Sequence, residues 1–256
     1  MSFKDIKITV ENDNILVITL SRNEVYNALR TETLKEISQV LYEYMDKINC
    51  VVLTGGEKVF AAGADINELE AKGTLESLND VRTGYWESIK NYKRPIIAAV
   101  NGFCLGGGCE LAMHCDIIIA GENAQFAQPE VNLGIMPGAG GTQRTVRTIG
   151  KSNAMLMLLS GTFIDAKKAQ DMNLVSEVVD PQNTMKRALE LASVIASKST
   201  LAVSAIKSAV LESYESGLGA SLKYEKMLFS GLLSTEDKKE GIAAFKEKRK
   251  PIFKGK

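Results

Sequence analysis

The sequence predicts an α/β fold in which buried strands alternate with helices. Short apolar runs bounded by glycine, proline or polar residues recur, as in "CVVLTG", "RPIIAAVNG" and "CDIIIAG". Helical stretches lie between these runs, an arrangement typical of strands that are covered on both faces. A chain of 256 residues is long enough for one large domain, or for a domain of roughly 190 residues with a small appendage.

The elements follow in order along the chain. "IKITVEND" and "ILVITLS" are rich in β-branched residues and end in polar breakers, which predicts two strands. The next stretch, "TETLKEISQVLYEYMDK", places five side chains on one helical face behind a threonine cap: Leu34, Ile37, Val40, Leu41 and Tyr44. From about Ala196 onward the pattern is helical alone, in "LAVSAIKSAVLESY" and "TEDKKEGIAAFKEKRK". We therefore predict a core with the active site in residues 1–195 and a helical region in residues 196–256.

The charge balance and the absence of long apolar runs exclude several classes of function. Lys plus Arg and Asp plus Glu number 31 each, so net charge favours neither a nucleic-acid partner nor an acidic membrane surface. The first residues lack the apolar core of a signal peptide, and no run of about 18 apolar residues occurs. Four cysteines at spacings that match no CxxC pair indicate reduced thiols. We expect a soluble, cytoplasmic protein.

Histidine is too scarce for several common catalytic sites. His114 is the only one, so a multi-histidine metal site cannot form within one chain, and any Ser-His-Asp or Cys-His relay would depend on that residue. We therefore predict no metal and assign proton transfer to carboxylates. His114 lies four residues after Glu110, so a Glu-His pair on one helical face is an alternative to a buried histidine that is satisfied locally.

A triple glycine follows an apolar run in "PIIAAVNGFCLGGGCELAMHCDIIIA". The phosphate-binding signatures fail here, because GxxxxGK[ST] is absent and a GxGxxG that began at Gly106 would need glycine in place of Leu111. Glycines between a strand and a helix can instead present backbone N–H groups to a developing oxyanion. Close packing of the helix on the sheet explains the same glycines equally well, so the loop alone leaves both interpretations open.

A second loop and two carboxylates complete the candidate site. In "VFAAGADINEL", residues 59–69, a strand end meets small residues and then an aspartate that could cap the next helix. With the triple glycine, this loop offers two backbone donors from separate strand ends, as an ester or thioester oxyanion requires. Glu110 follows the glycine turn, and Glu130 lies in a loop after a proline. Each glutamate taken alone could equally be a solvated surface residue.

Three stretches together resemble the enoyl-CoA hydratase (crotonase) family over essentially the whole chain: "FAAGADINEL", "PIIAAVNGFCLGGGCELAMHCDIIIAGENAQFAQPEVNLGIMPGAGGTQR" and "LVSEVV". The resemblance implies a spiral of ββα units followed by a helical C-terminal region that builds homotrimers, commonly paired into hexamers. One departure is Asn23 in "SRNEVYNAL", where the family usually has proline. Finer similarity in "LNDVR", "NLGIMPGAGGTQR" and "EGIAAFKEKRKPIFKGK" points to bacterial hydratases, including the branch that acts on 2,3-dehydroadipyl-CoA.

The family's functional positions carry over residue by residue. The resemblance implies that Ala64 and Gly107 supply the two oxyanion-hole N–H groups, and that Glu110 and Glu130 are the two catalytic acids. Gly138 matches a glycine beside the reacting carbons. Coenzyme A, which is part of the substrate and not a separate cofactor, is expected to contact the loop of residues 61–65 and, from a neighbouring subunit, three further positions. The expected CoA contacts are Ala61, Ala62, Gly63, Ala64, Asp65, Phe229, Phe245 and Lys248.

The activity implied is addition of water across the trans-2 double bond of an enoyl-CoA to give a 3-hydroxyacyl-CoA. We assign Glu130 as the base toward water and Glu110 as its partner, with a shared or reversed division left open. An enoyl-CoA isomerase of the same fold is the rival enzyme, although isomerases of the family usually lack the acid at the first position. A non-catalytic acyl-CoA-binding or RNA-binding scaffold is the rival of another class, and the retained pair of acids disfavours it.

Overall fold

The computed structural model describes residues 3–256 and confirms the predicted α/β fold. Its strands are β1 (Ile6–Glu11), β2 (Ile15–Leu20), β3 (Cys50–Thr54), β4 (Val59–Ala61), β5 (Ile96–Val100), β6 (Phe103–Leu105), β7 (Ile117–Gly121), β8 (Gln125–Ala127), β9 (Ile164–Asp165) and β10 (Glu177–Val179). Its helices are α1 (Thr31–Tyr44), α2 (Ile66–Glu70), α3 (Thr74–Leu78), α4 (Arg82–Lys90), α5 (Gly107–His114), α6 (Gly141–Ser160), α7 (Ala166–Asp171), α8 (Thr184–Ala196), α9 (Thr200–Glu212), α10 (Leu218–Leu232) and α11 (Glu236–Glu247).

Two sheets form the body of the protein. The larger has the order β1-β2-β3-β5-β7-β10; its first pair is antiparallel and its other neighbours are parallel. The smaller has the order β4-β6-β8-β9, with β4, β6 and β8 parallel and β9 antiparallel. Each pass of the chain therefore adds one strand to each sheet and then a helical segment. Three successive ββα units, which begin at β3, β5 and β7, build the spiral.

Buried hydrophobic side chains cover both faces of the larger sheet. All five residues of β3 are buried, as expected for a parallel strand covered on both sides. One face packs against α1 and the smaller sheet, and the other packs against Ala188, Ala192 and Ala196 of α8. The sequence prediction of strands covered on both faces is confirmed.

Helix α1 confirms one sequence prediction and corrects another. Four of the five side chains predicted for its inner face are at most 2% exposed, and Tyr44 packs against the core from its edge. The predicted threonine cap is wrong, because Arg30 occupies the N-cap position and makes no side-chain cap. The Thr31 hydroxyl instead donates to Glu68 of α2 at 2.8 Å. The Thr31 hydroxyl, which the sequence predicted to cap α1, is thus bonded to a residue of another helix.

The smaller sheet determines where the functional loops lie. Strands β4, β6 and β8 are parallel neighbours, so their carboxyl ends meet at one edge of the sheet. The loop of residues 62–65 leaves β4 there, the triple glycine leaves β6, and the segment that holds Glu130 leaves β8. Three stretches that are far apart in sequence therefore converge on one place.

The chain after α8 is helical, and much of its apolar surface faces outward. Helices α9 and α10 contain no buried residue. Among their half-exposed or more exposed side chains are Ile206, Val210, Leu218, Leu222, Met227 and Phe229. An ion pair of 2.7 Å between Lys207 and Asp116 ties α9 to the start of β7. The Asp237 carboxylate in α11 accepts from the Ser199 hydroxyl at 2.7 Å and from the backbone N–H of Lys254 at 2.7 Å.

Within residues 3–256, no single helix is long and apolar enough to cross a membrane. Two consecutive helical segments, Pro181–Ala196 and Thr200–Glu212, are long and apolar enough only when taken together, and they are bent by 109° relative to each other. The four cysteines are free and buried, in agreement with the expected reduced thiols.

Candidate active site

The triple glycine performs two tasks at the start of α5. Gly106 has φ +50° and ψ −122°, a backbone conformation that favours glycine. A β-carbon at Gly108 would lie 2.2 Å from the Ala61 carbonyl oxygen, so this glycine lets the helix pack on β4. Gly107 is the first residue of α5, and its N–H has no acceptor within the helix. Close packing and a free donor, the two interpretations that the sequence left open, therefore apply to neighbouring glycines.

A second free N–H comes from the loop after β4. Leu29 N–H donates to Gly63 O at 2.8 Å, and Asp65 N–H donates to Leu29 O at 2.9 Å. Ala64 is the residue paired with Leu29 in this parallel bridge, so its own N–H points to the opposite side. A β-carbon at Gly107 would lie 3.3 Å from Ala64 N. The two predicted donors are thus brought together, and neither has an acceptor within residues 3–256.

The Glu110 carboxylate is held by backbone donors at the start of α6. Its Oε1 atom accepts from Ala139 N–H and Gly141 N–H, both at 2.7 Å. Burial raises the pKa of Glu110, while these two N–H groups and the positive charge of Arg144 act in the opposite direction. Donors at a helix N-terminus favour the ionised form of a carboxylate. The pKa of Glu110 therefore lies above its usual value because of burial, and the two N–H groups and Arg144 limit that rise by favouring the ionised form.

Glu130 occupies a contrasting environment in the 3-10 turn Pro129–Leu133. Its Oε1 atom lies 2.7 Å from the position of a β-carbon on Gly106, so a side chain there would displace the carboxylate. Its Oε2 atom is buried and has no partner within residues 3–256. Burial, with a smaller contribution from the charge of Glu110, raises the pKa of Glu130 to about 7. A neutral and an ionised population are both accessible near neutral pH.

Gln128 is a polar residue of the site that the sequence did not single out. It is 0% exposed, and neither its side-chain oxygen nor its nitrogen has a partner in the described part of the chain. Gln128 Nε2 and Glu110 Oε1 lie 3.0 Å and 2.9 Å from the same point, the position of a β-carbon on Gly141. Buried polar groups are normally satisfied, so this amide is available to a ligand or water beside Glu110.

His114 contacts the backbone of Glu110 and not its carboxylate. His114 Nδ1 lies 2.8 Å from the Glu110 carbonyl oxygen, and the imidazole packs on Trp86 with ring centroids 4.9 Å apart. Burial and the charge of Arg144 lower the pKa of His114 to about 3, so the ring is neutral at physiological pH. The locally satisfied histidine is confirmed, and the Glu-His pair is not formed.

The remaining predicted residues divide into two groups. Ala61 ends β4, Ala62 N–H donates to Tyr26 O at 3.0 Å, and Asp65 caps α2 through Asn67 N–H, which confirms the predicted aspartate cap. Gly138 precedes the Ala139 donor, and a β-carbon there would meet open space. The second group lies in the C-terminal helical region: Phe229 is 52% exposed, Phe245 is 85% exposed, and Lys248, directly after α11, has φ +55°.

The arrangement fits chemistry that develops charge on a carbonyl oxygen. Two convergent N–H groups can stabilise an oxyanion, and two neighbouring carboxyls in different environments can accept one proton and deliver another. Among residues 3–256, no group of three or more His, Cys, Asp or Glu side chains is arranged to hold a metal ion.

Comparison with known proteins gives consistent results. The family described as enoyl-CoA hydratase/isomerase matches residues 10–256. The chain is 47% identical over 250 residues to 2,3-dehydroadipyl-CoA hydratase of Escherichia coli K12, covering 97% of this chain and 98% of that protein. It is 44% identical over 256 residues to a probable enoyl-CoA hydratase of Rhizobium meliloti, covering 99% of each. A crystal structure of an enoyl-CoA hydratase subunit from Geobacillus kaustophilus superimposes with a TM-score of 0.95 at 41% identity, covering 99% of each chain.

Proposed function

The chain belongs to the enoyl-CoA hydratase/isomerase family, and on that premise we propose that Glu110 and Glu130 carry out its proton transfers beside an oxyanion hole formed by Ala64 and Gly107. The protein is an enoyl-CoA hydratase, which adds water to a 2-enoyl-CoA thioester in fatty-acid degradation. The observation that carries the proposed site is the convergence of two free N–H groups beside two carboxyls in opposite surroundings.

The reaction needs charge stabilisation at the thioester oxygen. When water attacks the β-carbon of the double bond, the alkene electrons move toward the α-carbon and the carbonyl oxygen gains negative charge. The Ala64 and Gly107 N–H groups donate to that oxygen, and each such donor stabilises a transition state by roughly 3–4 kcal/mol. Because both donors are backbone groups fixed before the substrate arrives, little reorganisation is needed during the reaction.

We propose that Glu110 is the base and Glu130 the acid, the reverse of the division that we assigned from the sequence. The Glu110 carboxylate is supported in its ionised form by two backbone donors, so it can accept a proton from the attacking water. Glu130, with its pKa raised by burial to about 7, retains a proton to deliver to the α-carbon. After hydration Glu110 is protonated and Glu130 is ionised, and transfer of one proton between them restores the starting state.

The proposed CoA site involves two regions. The loop of residues 61–65 contains the Ala64 donor, and Gly138 precedes the Ala139 N–H that donates to Glu110; we propose that the thioester end binds there. Phe229, Phe245 and Lys248 would contact CoA from a neighbouring subunit of a homotrimer, alone or in a dimer of trimers. The outward apolar faces of α9 and α10 support such an assembly, since large apolar patches on a protomer mark interaction surfaces. We propose a cytoplasmic location, with no cofactor beyond the substrate's own CoA and no nucleic-acid or membrane partner.

The substrate class within the hydratases is a further proposal. Similarity to a relative named for 2,3-dehydroadipyl-CoA supports an acyl chain that ends in a carboxylate, and similarity to general enoyl-CoA hydratases supports a short chain without one. Turnover of crotonyl-CoA, hexenoyl-CoA and 2,3-dehydroadipyl-CoA by the purified protein decides between these. A kcat/KM at least tenfold higher for the dicarboxylic substrate than for the matched six-carbon chain identifies the first class.

Loss of the crotonyl-CoA absorbance tests the catalytic assignment. We expect Glu110→Gln and Glu130→Gln each to lower kcat by about 10³-fold, because general acid–base groups typically contribute 10²–10⁴-fold. Glu122→Gln, at an exposed position, is the matched control and should retain full activity. Undiminished turnover in both active-site variants would contradict the assignment. Faster conversion of a 3-enoyl-CoA than of crotonyl-CoA would instead favour an isomerase.

A further inference from the structure

Arg22 lies at the far end of a hydrogen-bonded chain that leads to the oxyanion hole. Its guanidinium donates to the Ala28 carbonyl oxygen. The N–H of the same peptide unit belongs to Leu29 and donates to Gly63 O at 2.8 Å. The peptide unit of that carbonyl in turn carries the Ala64 N–H, which is the proposed donor to the thioester oxygen.

The geometry of the trans peptide makes this chain directional. In a trans peptide unit the C=O and N–H bonds point in opposite directions.

 The cis form is absent from residues 3–256, so each hydrogen bond accepted on one side of a unit aims the N–H on its other side. The bond from Leu29 to Gly63 therefore directs the Ala64 N–H away from Leu29 and toward Gly107, where a β-carbon would lie 3.3 Å from Ala64 N.

A cation at the head of such a chain also strengthens the donor at its end. Hydrogen bonds in series polarise one another, and the effect is larger where water is excluded. The guanidinium withdraws electron density from the Ala28 carbonyl, which makes the Leu29 N–H a better donor to Gly63 O. The same polarisation passes to the Ala64 N–H. The guanidinium is thus connected to the proposed oxyanion donor through two hydrogen-bonded peptide units.

Arg22 is itself held in place by acidic neighbours. Its guanidinium lies 2.9 Å from Asp65 Oδ2 and 3.9 Å from Asp5 Oδ2, and its side chain is only 11% exposed. Burial acts to raise the pKa of Asp65, but the hydrogen bond from Arg22 and the cap bond from Asn67 N–H outweigh it, and the pKa lies below its usual value. Asp65 therefore stays ionised and keeps Arg22 against the donor loop.

We propose that Arg22 is a positioning residue for the reaction: through the Ala28–Leu29 and Gly63–Ala64 peptide units, it orients and polarises the Ala64 N–H that binds the thioester oxygen. Arg22 touches none of the reacting atoms. The proposal rests on the assignment of Ala64 to the oxyanion hole, and it adds a residue outside the pocket to the machinery of hydration.

The polarisation of a bound carbonyl gives a readout that a purely structural role would not change. A conjugated thioester absorbs at longer wavelength when donors withdraw charge onto its carbonyl oxygen, so 2,4-hexadienoyl-CoA serves as the probe. Its absorbance is measured on the full-length protein in the Glu110→Gln background, which slows hydration. We expect Arg22→Met to reduce the red shift of the bound probe by about half. In the protein with both glutamates, the same substitution should lower kcat about tenfold, since loss of an entire oxyanion donor costs roughly 10²–10³-fold.

Two further variants make the test specific. Arg22→Lys retains a cation that can reach one acceptor, although it loses the rigid fork of arginine, so we expect an intermediate red shift and an intermediate kcat. Arg187→Met is the matched control, because Arg187 also forms a two-bond pair with a carboxylate, Glu177 at 2.6 Å and 2.9 Å, on a separate part of the protein. It should leave the red shift, kcat and KM unchanged.

The outcomes separate this proposal from the one on which it rests. If the parent protein shows no red shift of the probe, the oxyanion-hole assignment fails. If the parent shows the shift and Arg22→Lys and Arg22→Met retain it in full, with kcat within twofold of the parent, the role of Arg22 is overturned. Should Arg22→Met not fold, as judged by circular dichroism, the Arg22→Lys result alone decides, because an unreduced shift in that folded variant contradicts the proposal.

Discussion

Glu110 and Glu130 lie against two segments of the same candidate site, and these segments give the carboxyl group different hydrogen-bond environments. The segment at the start of α6 surrounds Glu110 with backbone N–H groups at 2.7 Å, whereas the turn Pro129–Leu133 leaves one buried oxygen of Glu130 without a partner within residues 3–256. Hydrogen bonds to the charged form favour ionisation, and burial without them favours the neutral form. Two identical side chains can therefore take opposite roles because their backbone surroundings differ.

Each carboxylate also approaches a glycine where an added β-carbon would displace it, and this gives the largest effect expected of variants that keep both glutamates. A β-carbon at Gly141 would lie 2.9 Å from Glu110 Oε1, and one at Gly106 would lie 2.7 Å from Glu130 Oε1. We expect Gly141→Ala to lower kcat about 100-fold, since a displacement near 1 Å can cost that much. Gly106→Ala should cost more, because its φ of +50° also disfavours alanine. Measured kcat for hydration of crotonyl-CoA tests both.

Gly84→Ala provides the control for these two variants. Gly84 lies in α4, and a β-carbon there meets nothing within 4 Å, so activity should be retained. A Gly141→Ala variant with kcat within threefold of the parent would show that the backbone cradle of Glu110 does not limit catalysis.

Gln128 sharpens the comparison, because its buried amide lies beside Glu110 and has no partner within the described residues 3–256. Gln128→Met keeps the approximate length of the side chain and removes its polar atoms. We expect kcat to fall about tenfold with little change in KM, corresponding to the loss of one hydrogen bond to the attacking water or to Glu110. Gln182→Met, at an exposed position, should have no effect. An unchanged kcat in Gln128→Met would mean that the amide only fills space.

The smallest expected effect is on stability. The folded-state pKa of Glu130 is raised to about 7, above its unfolded value, so ionisation is more costly in the folded protein and stability is lost as pH rises toward and through 7. Glu130→Gln mimics the neutral form. It should match the parent in Tm at pH 4, below the unfolded pKa of 4.5, and exceed it at pH 8 by roughly 2–4 °C, a modest gain because Glu130 is partly exposed.

Thermal unfolding at the two pH values, with Glu57→Gln as an exposed control, measures this difference. Equal Tm values for Glu130→Gln and the parent at pH 8 would contradict the raised pKa, and with it the neutral acid that the proposed mechanism assigns to Glu130.

The strands and helices that sequence could predict are those with enough residues to carry a pattern. Strands β3, β5 and β7 are continuous apolar runs of five residues, and α1 repeats its apolar face over 14 residues. Strands β6 and β8 have only three residues each, too few for either a strand or a helix period to be recognised. The smaller sheet, which brings the loops of the candidate site together, was therefore the part of the fold that was hardest to predict from the sequence.

The candidate site was predicted from chemistry and resemblance more than from pattern. The glutamates and glycines stood out because their residue types suit oxyanion chemistry, and the structure brings those loops together. Gln128 gave no such signal, because a glutamine before a proline is typical of an ordinary turn. Only the structure shows that its side chain is buried and that its amide has no hydrogen-bond partner within residues 3–256. The threonine cap failed for a similar reason, because Glu68 lies 37 residues from Thr31 in the sequence.

The backbone origin of the two proposed oxyanion donors has a consequence for mutational scanning. Ala64 would be left untouched by an alanine scan, and any replacement at Gly107 except proline keeps the N–H while adding bulk beside it. A conventional scan would thus record the side chains and glycines of the site and miss the two backbone N–H groups that we propose stabilise the developing charge. Replacing the Gly63–Ala64 amide by an ester through chemical ligation removes the Ala64 N–H and leaves every side chain unchanged. The contribution of this backbone donor to kcat can then be measured directly.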